Sequence, residues 1–312
     1  MIACGAARYA LARGDRAEAA ELWPLVEWCL EYCRRQLTAD GVVASDTDEL
    51  EGRFPTGDAN LCTSTLYYDA LLSAVSLGRE LGVESAQTAR YAAQARALAR
   101  AIDAHFGGEV GGYDTYRYYA GNTLLRSWIC MPLIVGLKER SEGTVRALLG
   151  PELMTDDGLL TQQGSSTFWD RSTLYALRGI YNVGQADRAT ELLHRYSQRR
   201  LLGDHVPYPI EAWPEGSQRH LSAESGLYCR IITEGLFGIR PTGLRSFDLT
   251  PSMPAAWESM SLRHIRAFGS DFDITVARVA DGRLRITVAR PGAKPKIYRA
   301  APGATIRVKL TD

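Results

Sequence analysis

The repeat length of the hydrophobic pattern changes once along this chain, near residue 243. That change constrains the fold more than any single motif. Up to about residue 240, apolar residues recur with a helical period; within 17–37 the stripe is Leu22, Leu25, Val26, Cys29, Leu30 and Cys33. Segments 61–81, 91–106, 124–137, 174–183, 189–202 and 222–237 are patterned alike, and shorter runs at 2–13 and 142–149 bring the expected helices to nine. Beyond 243 the period becomes two. Phe272, Ile274 and Val276 alternate with polar neighbours, as do Leu284, Ile286, Val288 and then Ile306, Val308, Leu310. Ala280-Asp281-Gly282-Arg283 supplies a hairpin turn between the first two runs. The expected architecture is mainly α over 1–243, followed by a small antiparallel, sandwich-like β domain over 244–312. A Pro-rich crossing (Pro241, Pro251, Pro254) joins the two.

The breaks between helices alternate in length. Short turns fall near 13–16, 82–86 and 183–187, while long loops span about 39–59, 107–123, 151–171 and 203–221. Helical hairpins with short turns at one end and elaborated loops at the other produce this alternation. Long loops on a rigid scaffold are where a site is expected. Acidic and aromatic residues gather there: Asp46, Asp48, Glu49, Glu51, Asp58, Tyr113, Tyr116, Trp169, Asp170, Glu211, Trp213 and Glu215.

Charge narrows the ligand. Lys and Arg (36) balance Asp and Glu (36), so no global field draws the chain to nucleic acid or an anionic membrane. Basic pairs such as Arg34-Arg35 and Arg199-Arg200 lie among acids and form no run. No apolar window approaches the ~20 residues of a membrane-spanning helix. The N-terminal stretch lacks a charged segment followed by an apolar one, which together with six cysteines in no metal-ligand spacing gives a cytoplasmic expectation, with the thiols acting as small core residues. The acids of 46–51 lack the glycine and spacing of an EF-hand loop, so neither metal nor cofactor is expected.

Two carboxyl groups flanked by aromatic rings are what glycosidic bond cleavage requires, one to protonate the leaving oxygen and one to activate water. Trp and Tyr faces stack on sugar C–H surfaces, and a neutral protein suits a neutral substrate. The competing reading is that such loops are merely solvated.

The order of motifs resembles the six-hairpin glycosidases. Asp40-Gly41-Val42-Val43-Ala44-Ser45-Asp46-Thr47-Asp48, then Gly52-Arg53-Phe54, then Asp58-Ala59-Asn60-Leu61, is similar to a segment of glycoside hydrolase family 63 and of glycogen-debranching glucosidases. There D-G-L is followed by S-G-W-D or T-W-M-D, an arginine and a helix. The last Asp of that motif is the general acid, which falls on Asp48, with Glu49 as its rival. Ser166-Thr167-Phe168-Trp169-Asp170-Arg171 is similar to the Y-W-R-G segment, with the arginine displaced by one position. Pro209-Ile210-Glu211-Ala212-Trp213-Pro214-Glu215-Gly216 resembles the E-x-Y-x-P-x-T-G loop, whose Glu is the catalytic base; Glu211 takes that place, with Glu215 as its rival. Ser225-Gly226-Leu227-Tyr228, Glu234-Gly235-Leu236-Phe237-Gly238-Ile239-Arg240-Pro241 and Leu249-Thr250-Pro251 to Trp257 resemble family 94 and 65 phosphorylases.

The resemblance covers most of 15–278 and implies an (α/α)6 toroid with a C-terminal β cap. It implies inverting hydrolysis of an oligosaccharide by Asp48 and Glu211. Trp169, Asp170, Arg171, Trp213, Arg53, Glu49, Glu215 and His220 would be substrate-binding residues, His220 as a phosphate ligand if the enzyme is a phosphorylase. Arg126 joins Arg53 and Arg171 as a group to orient hydroxyls or carboxylates. A complete toroid has twelve helices and the pattern here gives nine. An open toroid exposes apolar helix faces that call for a partner chain, and a degenerate toroid that only binds carbohydrate is the third reading.

Overall fold

Short glycine turns build the helical rows. Helix α1 (Ile2–Arg13) ends at Gly14 in the left-handed region (φ +74°), and Asp15 caps α2 (Arg16–Arg35) by accepting from the amides of Ala17 and Glu18. Only glycine fits position 14, because a Cβ there would run into the backbone of Phe268 and Gly269. Helices α3 (Leu61–Leu81) and α4 (Ser85–Phe106) repeat the device through Gly82. A hairpin of β1 (Gly107–Val110) and β2 (Tyr113–Tyr116) follows. Next come a 3-10 turn at Ser127–Cys130, α5 (Met131–Val135) and α6 (Ser141–Leu148). Strands β3 (Met154–Thr155), β4 (Gly158–Leu159) and β5 (Phe168–Trp169) lead into α7 (Asp170–Asn182) and α8 (Ala186–Tyr196). Strand β6 (Ala212–Trp213) precedes α9 (Ser222–Arg230), which continues as a π turn over Ile231–Leu236.

The computed structural model describes residues 1–48, 52–202, 206–213 and 222–310, without the side chains of Ala212 and Trp213. Among them, α1, α3, α5, α7 and the α9 segment pack in succession as an inner row of five. Helix α2 backs α1 and α3, α4 backs α3, and α8 backs α7. Several boundaries depart from the sequence expectation, with α7 beginning at Asp170 rather than 174 and α8 at Ala186 rather than 189. Helix α4 begins at Ser85 rather than 91, because its first turns are Ala-rich and carry no apolar stripe. The 124–137 run is only a 3-10 turn and a five-residue helix, with Pro132 in its first turn and Gly136 at its end, although Trp128 and Met131 to Val135 are buried. Cys229 is exposed and Cys33 half-buried, unlike the four buried cysteines.

The strands after the helices form two antiparallel sheets. One has the order β13 (Ile306–Lys309), β8 (Ser246–Leu249), β7 (Ile239–Gly243); the other runs β12 (Lys296–Ala300), β11 (Leu284–Ala289), β10 (Ser270–Arg278), β9 (Ser259–Ala267). Pairing Ile274 with Val288 and Val276 with Ile286 puts the alternating apolar set on one buried face. Phe247 of β8 stacks on Phe268 and Phe272 (5.0 and 5.5 Å), joining the two sheets. Strand β7 packs against α1 and α3. Among the described residues no helix is long and apolar enough to cross a membrane.

Candidate active site

Asp48 is placed by a helix cap. Asn60 precedes the apolar run of α3, and its Oδ1 accepts from the Thr63 amide at 2.8 Å, capping the helix. Its Nδ2 donates to the Thr47 carbonyl at 3.1 Å, gripping the residue before Asp48. Ser45 donates to the same carbonyl, Thr56 Oγ1 donates to the Asp46 carbonyl, and the Ala44–Ala59 bridge closes the loop. Half-buried Asp48 accepts at Oδ2 from the Tyr118 hydroxyl at 2.7 Å. Burial, then the charges of Cys62 and Asp48, push the Tyr118 hydroxyl well above its ordinary range, so it stays a donor.

Beside Tyr118 lies Arg126, whose guanidinium sits over the rings of Tyr118 (4.9 Å), Phe54 (5.4 Å) and Tyr119 (5.6 Å). Its Nε donates to Gln162 at 2.9 Å, while both terminal nitrogens are buried with no hydrogen-bond partner among the described residues. Burial lowers its pKa, opposed by Tyr118, Tyr119 and Asp48.

Glu211 is placed by the motif that precedes α7. Strands β5 and β6 pair Trp169 with Ala212 and Phe168 with Trp213. Two residues before that pair, and one before Glu211, the Ile210 amide donates to Asp170 Oδ2 at 2.7 Å. Asp170 is itself buried and ion-paired with buried Arg200 at 3.0 Å. Glu211 is therefore held on both sides by the Phe168-Trp169-Asp170 segment. It is half-buried, and its carboxylate has no partner among the described residues.

The two loops share one end of the helical rows. Arg53, from the Asp48 loop, lies over the Trp169 ring at 5.3 Å, and Trp169 is paired to the residue after Glu211. Bridges Arg126–Gln162 and Leu160–Phe168 extend the same layer of short pairings. Asn60 at the start of α3 and Asp170 at the start of α7 mark the end of the helices on which it sits.

Other expectations fare differently. Trp169 is 2 % exposed, with Arg53 and Arg171 both over its ring, so it packs the site rather than offering an open stacking face. Arg171 is committed to fully buried Glu224 at 2.6 Å. Asp170 and Arg171 are thus tied by ion pairs to Arg200 and Glu224, and these pairs hold the neighbouring segments together. Trp213 is placed only through its backbone, and Glu49, Glu215 and His220 lie outside the described residues. Tyr118 and Gln162 were missed by motif reasoning, since nothing marks one loop tyrosine or glutamine among several. Asn60 carried a signal, as an Asx residue directly before an apolar helical run. Among the described residues no cluster of His, Cys, Asp and Glu is grouped to hold a metal.

No protein-family model and no curated protein sequence matches the chain. Its fold matches solved glycosidase structures. A chain named as a sialidase superposes with a TM-score of 0.68 at 14 % identity, over 97 % of this chain and 32 % of that one. A family 78 rhamnosidase of Bacillus sp. GL1 gives 0.59 at 16 %, over 95 % and 31 %. The α-L-rhamnosidase of Streptomyces avermitilis, solved with L-rhamnose, gives 0.51 at 14 %, over 97 % and 32 %. The chain spans about a third of the length of these structures.

Proposed function

We propose that this protein hydrolyses a glycosidic bond of an oligosaccharide with inversion. Asp48 protonates the leaving oxygen and Glu211 deprotonates the attacking water. The supporting observation is that separately positioned carboxylates, one oriented by Tyr118 and one held by the Trp169-Asp170 segment, sit on loops linked through Arg53 and Trp169. Inversion needs room for a water, so the carboxyl groups should stand ~6.5–9.5 Å apart. The likeness to sialidase and rhamnosidase structures supports a glycosidase and leaves the sugar open.

The direct test is a screen of aryl glycosides and oligosaccharides, with NMR detection of the first-formed anomer. Inverted product, lost in both Asp48→Asn and Glu211→Gln, supports the assignment; retained product, or full activity in either variant, refutes it. Adding phosphate distinguishes phosphorolysis, which would need no base at Glu211.

A second reading, a non-catalytic carbohydrate-binding toroid, is favoured by one observation. Trp169, Asp170 and Arg171 are all committed to packing and ion pairs. Sugar binding by calorimetry, with no turnover in the screen, would select it.

A further inference from the structure

At the other end of the helical rows lies a cavity of about 580 Å³, bounded by the turns after α5 and α7 and by β7, β8 and the loops beyond them. Helix α7 runs from Asp170 at the candidate active site to Asn182 at this cavity. Its thirteen residues span about 18 Å at the α-helical rise, so the two places are separate.

The floor of the cavity is charged. Arg8 of α1 pairs with Asp69 of α3 (3.3 Å) and with Glu234 (3.1 Å), and Arg240 of β7 pairs with Asp69 (2.7 Å). Behind them, Arg178 (3.1 Å) and Arg230 (2.6 Å) also clasp Glu234. Burial and Asp69 push the Cys4 thiol up to about 12, so it adds no charge while donating to Asp69. Four guanidinium groups therefore face two carboxylates, an excess of two positive charges.

The wall does not cancel that excess. Asp248 is matched by Arg307, Arg278 donates only to the carbonyls of Met253, Pro254 and Trp257, and Lys138 stands exposed at the rim. The hydroxyl of Ser252, also lining the cavity, is buried without a partner among the described residues. An excess of cations at and behind the wall of a cleft the size of typical small-molecule sites favours an anion.

We propose that this cavity binds a sugar-sized anion carrying a carboxylate or a phosphate, with Arg8 and Arg240 facing the anionic group and Lys138 at the entrance. Binding here is independent of hydrolysis at the other end of the molecule.

The test is titration calorimetry on the whole chain with glucuronate, glucose 6-phosphate and neutral glucose. Both or one of the anions should bind and glucose should not; the tighter anion identifies the acid group. Arg240→Gln should weaken binding about tenfold, the loss of one charge-assisted hydrogen bond. Lys138→Gln, on an exposed side chain that leaves the fold intact, should weaken it about threefold and flatten its salt dependence. Asp48→Asn should leave the affinity unchanged. No heat from either anion, equal binding of glucose, unchanged affinity in Lys138→Gln, or loss of binding in Asp48→Asn would each overturn the proposal.

Discussion

Two pairs of acidic groups, Asp69 with Glu234 toward the turn end and Asp48 with Glu211 at the loop end, are held differently. At the turn end, Asp69 is clasped by Arg8 and Arg240, and Glu234 by Arg8, Arg178 and Arg230. Burial alone would raise both carboxyls, but these arginines hold Glu234 far below the usual carboxylate range and Asp69 below it. At the loop end, Asp48 is oriented by a neutral hydroxyl, and Glu211 is held through its backbone neighbours. Carboxylates saturated by arginines are fixed as ions and serve structure. Asp48 and Glu211, oriented through a hydroxyl and main chain, are the pair to which we assign the proton transfers of the proposed reaction.

Substitution should separate the ends most sharply at Asp48 and Glu211. Asp48→Asn and Glu211→Gln are each expected to lower kcat by about 10³-fold with unchanged melting temperature, as steady-state kinetics and calorimetry would show. Glu234→Gln should do the reverse, leaving Arg178 and Arg230 without their carboxylate and Arg8 with Asp69 alone, and costing about 3–5 kcal/mol in urea unfolding.

Acid supplies the next contrast. The pKa of Glu234 is depressed in the folded state, so its contribution is fully present above the unfolded value of about 4.3 and is lost as pH falls toward the folded one. Wild type should lose stability between about pH 5 and pH 2, and Glu234→Gln should lose less over that window.

Tyr118→Phe removes the donor to Asp48 and should cut kcat about tenfold without altering substrate affinity. Asn60→Ala should cost about 1 kcal/mol from the lost cap of α3, with a several-fold fall in activity because Thr47 is released. Equal damage to stability from Asn60→Ala and Glu234→Gln would erase the distinction between the two ends.

The helical rows were legible because burial imposes a period. Leu61 to Leu81 reads as one helix from its apolar spacing, and α3 has those bounds. Strands β10, β11 and β13 were legible for the same reason, through Ile274–Val288 and its neighbours, whereas β7 (Ile239–Gly243) fell within the stretch expected to be helical. Ala-rich starts such as Ser85–Arg90 escaped, since they form helix by propensity and bury little.

The acidic pair could be named from motif order, yet its supports could not. Tyr118 lies 70 residues from Asp48, and the contact depends on how the β1–β2 connection returns to α3. Likewise Trp169 and Asp170 read as residues of a long loop, but the pairing with Ala212 and the ion pair with Arg200 bury both. A two-residue strand has no sequence period to announce it.

The central claim is that Asp48 and Glu211 face each other across one sugar-sized hollow. A crystal structure of the protein with a bound monosaccharide measures this directly, through the separation of the two carboxyl groups. A separation of ~6.5–9.5 Å with both side chains directed at the sugar is expected. Carboxyl groups more than about twice that distance apart, or turned into different environments, would contradict it.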